Sequence, residues 1–138
     1  MLSNLQMLTE NDVVEILAEH LSNQGYQIIQ SLTTNEKGVD LIAEKNGVRL
    51  YVEAKGETSS KATTNRYGKP FNKNQIKSHV SRAILTSMKV QSSKPNSEVA
   101  IALPDTDDHK QLIQVITPSL KKLGIGVYWV SKSGVRMD

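Results

Sequence analysis

Residues 38–57 read GVDLIAEKNGVRLYVEAKGE. Two apolar runs flank Asn46-Gly47, the dipeptide that most readily supplies the two positive-φ positions of a tight hairpin turn. A two-residue turn there sets Lys45 opposite Val48, and the ladder then carries Asp40 opposite Glu53. Leu41, Ala43, Leu50 and Val52 share one face and suit a core, whereas Asp40, Glu53 and Lys55 share the other. Directly opposed residues have Cβ atoms about 5 Å apart. Two carboxylates so placed repel, and one is driven to hold a proton unless a cation lies between them. A hard divalent cation such as Mg²⁺ resolves that conflict with oxygen ligands.

The rest of the chain is read outward from this hairpin. Thr9 caps a helix with Glu10 and Asp12 in its first turn, and Val14, Leu17, Ala18 and Leu21 form its apolar face. Gly25 ends it. Tyr26–Ser31 reads as strand one, with Val39–Lys45 and Val48–Lys55 as strands two and three. Residues 56–72 form a long polar loop of the kind that compact domains keep for function. A helix follows from Lys73 to about Met88, with Ile76, Val80, Ile84 and Met88 along its buried side. Glu98–Leu103 is strand four. Asp105, Asp107 and Asp108 favour a helix start there and are more simply helix-dipole acids than metal ligands. Pro118 argues against one long helix, so Thr117-Pro118 reads as the start of a second, short one. Ile125–Val130 is strand five. The order α-β-β-β-α-β-α-β predicts an α/β domain spanning 1–138, a mixed sheet of about five strands with helices on both faces.

Composition narrows the function. The chain has 138 residues, a net charge of +3 and no cysteine, which excludes disulfides and thiolate zinc sites. No apolar run approaches bilayer length, and MLSNLQMLTENDVV lacks the basic and apolar regions of a signal peptide, so an intracellular, cytoplasmic protein is expected. Residues 56–94 carry eight Lys/Arg (Lys61, Arg66, Lys69, Lys73, Lys77, Arg82, Lys89, Lys94) against Glu57 alone. That imbalance suits a polyanionic partner. No P-loop, dinucleotide fingerprint or HExxH motif is present.

The pattern resembles the PD-(D/E)XK, or restriction-endonuclease-like, nuclease superfamily, and looks most like its Holliday-junction-resolvase-like and Mrr-like members. Gly38-Val39-Asp40 stands where the family has its first acid, and Glu53-Ala54-Lys55 stands as its E-x-K. Position 39 is Val where the motif name has Pro. The resemblance spans residues 10–131 and implies a Mg²⁺- or Mn²⁺-dependent nuclease acting on DNA, expected as a homodimer. It implies Asp40, Glu53 and the Ala54 carbonyl as metal ligands and Lys55 as a catalytic lysine. It also implies a glutamate from the first helix, for which Glu15 is the candidate and Glu19 the reserve, and Gln75 on the following helix, with His79 and Arg82 on the same face. Lys61, Arg66, Lys69, Lys73, Lys77 and Arg82 are the expected nucleic-acid contacts. Aromatics near them are confined to Tyr67 and Phe71, which favours backbone contact over base stacking. The alternative is a non-catalytic module that binds nucleic acid or a partner protein on the same fold.

Overall fold

The computed structural model describes residues 7–32, 38–58 and 69–138. Its element order is α1 (Glu10–Asn23), β1 (Gln27–Ser31), β2 (Leu41–Lys45), β3 (Val48–Ala54), α2 (Lys73–Ser93), β4 (Glu98–Pro104), α3 (Asp107–Leu123), β5 (Ile125–Ser131) and β6 (Gly134–Met137). The six strands form one sheet in sequence order. The β1-β2-β3 meander is antiparallel, β3-β4 and β4-β5 are parallel, and β6 returns antiparallel to β5.

The hairpin register is the one the turn dictates. Lys45 pairs with Val48 and Leu41 with Val52. Asn46 (φ 54°) and Gly47 (φ 79°) both occupy the left-handed region. Leu41, Ala43, Leu50, Val52 and Ala54 are buried against α1 with Val13, Val14, Leu17 and Leu21. The opposite face of the sheet, with Tyr51, Ile101, Leu103, Val127 and Trp129, packs on α2 and α3. Two apolar layers sandwich the sheet, as expected when β-α-β crossovers follow a meander.

Three details depart from the sequence reading. First, the sheet has a sixth strand. The segment GVRM is too short and too polar to stand out as a strand, yet Ser131 pairs with Gly134 and Trp129 with Arg136. Second, α3 is one helix through Pro118. Proline removes one N–H bond, but Ile113 and Leu120, on either side of it, are both buried, and that anchorage outweighs the loss. Third, α2 runs five residues beyond Met88, and its buried stripe is Ile76, Val80, Ala83 and Ser87. Met88 is 40% exposed. A strict four-residue spacing drifts around a helix of 3.6 residues per turn, so Met88 rotates out of the groove. Among the described residues, no helix is long and apolar enough to cross a membrane.

Candidate functional site: a carboxylate cluster at the end of the hairpin

The open end of the β2–β3 hairpin is fixed from several directions. The backbone N–H of Leu32 donates to the Asp40 carbonyl at 2.8 Å. The Gln30 side chain donates to the Val39 carbonyl at 3.1 Å. The Lys55 N–H donates to the Ala102 carbonyl at 3.0 Å, so β3 stays attached to β4 to the end of E-x-K. Asp40 itself is buried, and its Oδ2 accepts the Ala54 N–H at 2.8 Å. One acid of the motif thus grips the backbone between the other two members.

Glu53 and Lys55 lie beside Asp40, and both feel its charge. Burial, then the Asp40 charge, pushes the Glu53 carboxyl up to about 7, against the pull of Lys55. Burial also raises Asp40, opposed by the Ala54 N–H and by Lys55. One lysine incompletely offsets the crowding.

The glutamate that α1 contributes is Glu10, where the sequence pointed to Glu15. Burial, then the Asp40 charge, pushes the Glu10 carboxyl up to about 7. Glu15 and Glu19 are exposed. The reason is geometric. The helix covers the sheet face opposite to Glu53, so only its first turn can reach round the strand ends. The signal was available in Thr9, whose capping box with Asp12 places Glu10 as the first helical residue.

The second flank is α2. Gln75 is half-buried, but its Oε1 accepts the Asn72 N–H at 2.9 Å and completes a capping box, so this side chain already has a structural task. His79 sits one turn on, half-buried, edge-on to Phe71 at 4.6 Å. Burial, then the charges of Lys55 and Arg82, lowers its basicity. Lys69, Lys73, Lys77 and Arg82 are exposed at the start of α2 and along it. Lys61, Arg66 and Tyr67 lie outside the described residues. Phe71 packs into the α2 layer and is no stacking platform.

Among the described residues, no three His, Asp or Glu side chains form a ready cation cage. The available donors are instead two neighbouring carboxylates and a backbone carbonyl at the strand end, with a third carboxyl on Asp40. Such an open set of hard oxygens matches the sparse protein ligation that Mg²⁺ accepts.

The comparisons agree with this fold. A structure described as an XisH family protein from Nostoc punctiforme matches with a TM-score of 0.55 and 18% identity, over 93% of this chain and 97% of that one. A second, an fdxN element excision controlling factor protein from Anabaena variabilis, matches with a TM-score of 0.53 and 21% identity, over 91% and 98%. At these identities the likeness concerns the fold. Among curated proteins none matches the chain. The restriction endonuclease family model Mrr_cat matches residues 5–89, more than half of the chain and the part that holds Glu10, Asp40, Glu53, Lys55 and most of α2. The chain belongs to this restriction endonuclease family.

Proposed function

We propose that the protein is a metal-dependent nuclease that hydrolyses phosphodiester bonds in DNA. The observation that carries the reading is the convergence of Asp40, Glu53, Lys55 and Glu10 at one strand end, where burial raises all three carboxyls and the Asp40 charge raises Glu10 and Glu53 further. A binding module has no need to keep such destabilising groups together. Perturbed acids in a packed setting are a recognised mark of active sites.

Asp40, Glu53 and the Ala54 carbonyl would hold Mg²⁺ or Mn²⁺. Bound there, the ion would supply charge neutralisation and a more acidic water. Asp40 keeps the E-x-K backbone in register through the Ala54 N–H. Glu10 would orient Asp40 from the first turn of α1. The Lys55 Nζ would steady the attacking water and offset charge on the phosphate. Lys69, Lys73, Lys77 and Arg82 would hold flanking phosphates. Cutting both strands of a duplex would take two copies, so a homodimer belongs to this reading.

The test is a Mn²⁺ or Mg²⁺ titration of wild type and Asp40→Asn, paired with a plasmid-nicking assay. Metal binding and nicking in wild type, both lost in Asp40→Asn, are expected. Nucleic-acid binding without metal uptake or nicking would establish the non-catalytic module instead.

A further inference from the structure

The chain just after E-x-K is tied to the chain just before α1. The Glu57 carboxylate accepts the Leu8 N–H through Oε2 at 2.9 Å. The Glu57 N–H donates to the Leu8 carbonyl at 2.8 Å. The Glu57 carbonyl in turn accepts the Phe71 N–H at 2.9 Å, on the approach to α2. Gly56 lies under the start of α1 so closely that a Cβ would stand 2.4 Å from the Glu10 nitrogen, 2.6 Å from the Thr9 carbonyl carbon and 2.9 Å from the Leu8 oxygen. These are backbone atoms, which cannot swing aside as a side chain can.

We propose that Gly56 and Glu57 are positioning residues, forming a clasp that holds the first turn of α1 against the end of β3 and so sets Glu10 on Asp40. The proposal rests on the nuclease reading for its purpose, though not for its geometry. Glu10 is the first residue of α1, where helices ordinarily fray. Its approach to Asp40 is therefore not guaranteed by the helix. It is guaranteed by what holds Leu8 and Thr9. Glu57 reaches Leu8 with both its backbone and its carboxylate, and Gly56 lets the two segments touch. The same residue fastens Phe71, against which His79 stands, so one position braces both flanks of the carboxylate cluster.

The experiment is a double-mutant cycle on the metal-free protein, read as the melting temperature. Glu10→Ala removes the side chain that the clasp sets beside Asp40, so in the wild-type background it should shift Tm by roughly 4 °C. In Glu57→Ala that shift should vanish, because the first turn of α1 is no longer held there. In Glu57→Gln, which keeps an oxygen acceptor for the Leu8 N–H, the shift should return. A loose structural role would lower all melting temperatures without changing the coupling. The same Tm shift in wild type and Glu57→Ala, or no shift in either, would overturn the clasp. Gly56→Ala should mimic Glu57→Ala, and if it fails to fold the Glu57 variants still decide. A parallel Mn²⁺ titration separates the two readings. Glu57→Ala should weaken Mn²⁺ binding about tenfold, as loss of a group supporting metal ligands commonly does, and should have no further effect in Glu10→Ala. If wild type takes up no Mn²⁺, the nuclease reading falls while the thermal cycle still judges the clasp.

Discussion

Two acidic groups lie at the same end of the sheet and behave oppositely. Asp105 follows β4 and meets Lys110 Nζ at 2.9 Å and Arg136 Nε at 3.5 Å. The Lys110 contact, then the charges of Lys110 and Arg136, hold its carboxyl below the usual range. Asp40, Glu53 and Glu10 share Lys55 among them and are all raised. The first group is an ion-paired network, each of its charges facing an opposite one, although Asp105 Oδ1 makes no hydrogen bond among the described residues. The second holds three carboxyls whose partial burial one lysine does not offset. The difference is physical: the first group meets its counter-charges, and the second must hold protons or, on the nuclease reading, a cation.

The largest effect should come from Lys55. Lys55→Ala should cut nicking by about a hundredfold or more at saturating metal, the scale of losing one preorganised charge beside a reacting phosphate. Lys110→Ala should leave it unchanged. Lys55→Arg separates charge from proton handling, because a guanidinium keeps its proton. Full nicking by Lys55→Ala would erase the contrast between the two clusters.

Next in size is the effect of the crowding on stability. Glu53 ionises near 4.5 when unfolded and near 7 when folded. Between these values the folded state holds the extra proton. Its stabilising share is therefore complete below pH 4.5 and is lost as the pH rises through 7. Glu53→Gln should then stabilise the metal-free protein at pH 8 by about 1–3 kcal/mol, less than the full shift because Asp40 and Glu10 titrate with it. Saturating Mg²⁺ should reverse the order of the two proteins, since only wild type gains from the ligand. Glu53→Gln melting below wild type in the absence of metal would contradict the crowded-acid account.

The head of α3 provides a mirror image. His109 is 1% exposed, and its Nδ1 meets Thr106 Oγ1 at 2.6 Å. Its Nε2 has no hydrogen-bond partner among the described residues. Burial pushes its imidazole down to about 4, with Asp108 opposing and His79 adding to the shift. Here the unfolded state holds the extra proton between pH 4 and 6.5. Stability is present above 6.5 and is lost as the pH falls through 4, by about 2–3 kcal/mol. The Glu10 and Glu53 slopes run the other way across this window, so the measurement is the difference between wild type and His109→Gln. That difference should rise from pH 4 to 6.5, and a flat difference curve would remove His109 from the balance.

How much of this was legible in the sequence follows from the range of each cause. The hairpin register was readable because Asn46-Gly47 fixes it locally and the alternation of Leu41, Ala43, Leu50 and Val52 agrees with the turn. Asp40, Glu53 and Lys55 came with that register. Glu10 was not found, because which turn of α1 meets the strand end depends on the face the helix covers. That is decided by packing between elements far apart in sequence. Glu57 and Gly56 were invisible for the same reason: their partners, Leu8 and Thr9, are nearly fifty residues away. Pro118 misled because propensity counts the missing N–H and not the burial of Ile113 and Leu120. The sixth strand was missed because Gly134–Met137 owes its form to the edge of β5 more than to its own residues.

The smallest expected effect is at Asp105, and it sharpens the comparison because its sign is opposite to that of Glu53. Asp105→Asn removes the charge that Lys110 and Arg136 meet. Both partners are about half exposed, with side-chain exposures of 45% and 50%. Water and salt therefore recover most of what the pairs contribute. The folded carboxyl ionises below its unfolded value, so the contribution is present above about pH 3.9 and is lost as the pH falls further. At pH 8 the loss should be about 0.5–1 kcal/mol, the range of exposed ion pairs. It should shrink in high salt, because charges this exposed are screened within a Debye length of about 3 Å at 1 M. Glu53→Gln should keep most of its gain under the same salt, since its crowded neighbours are partly buried. If Asp105→Asn stabilises the protein, or if both variants respond alike to salt, the two clusters are of one kind and the contrast between a completed network and an incomplete one fails.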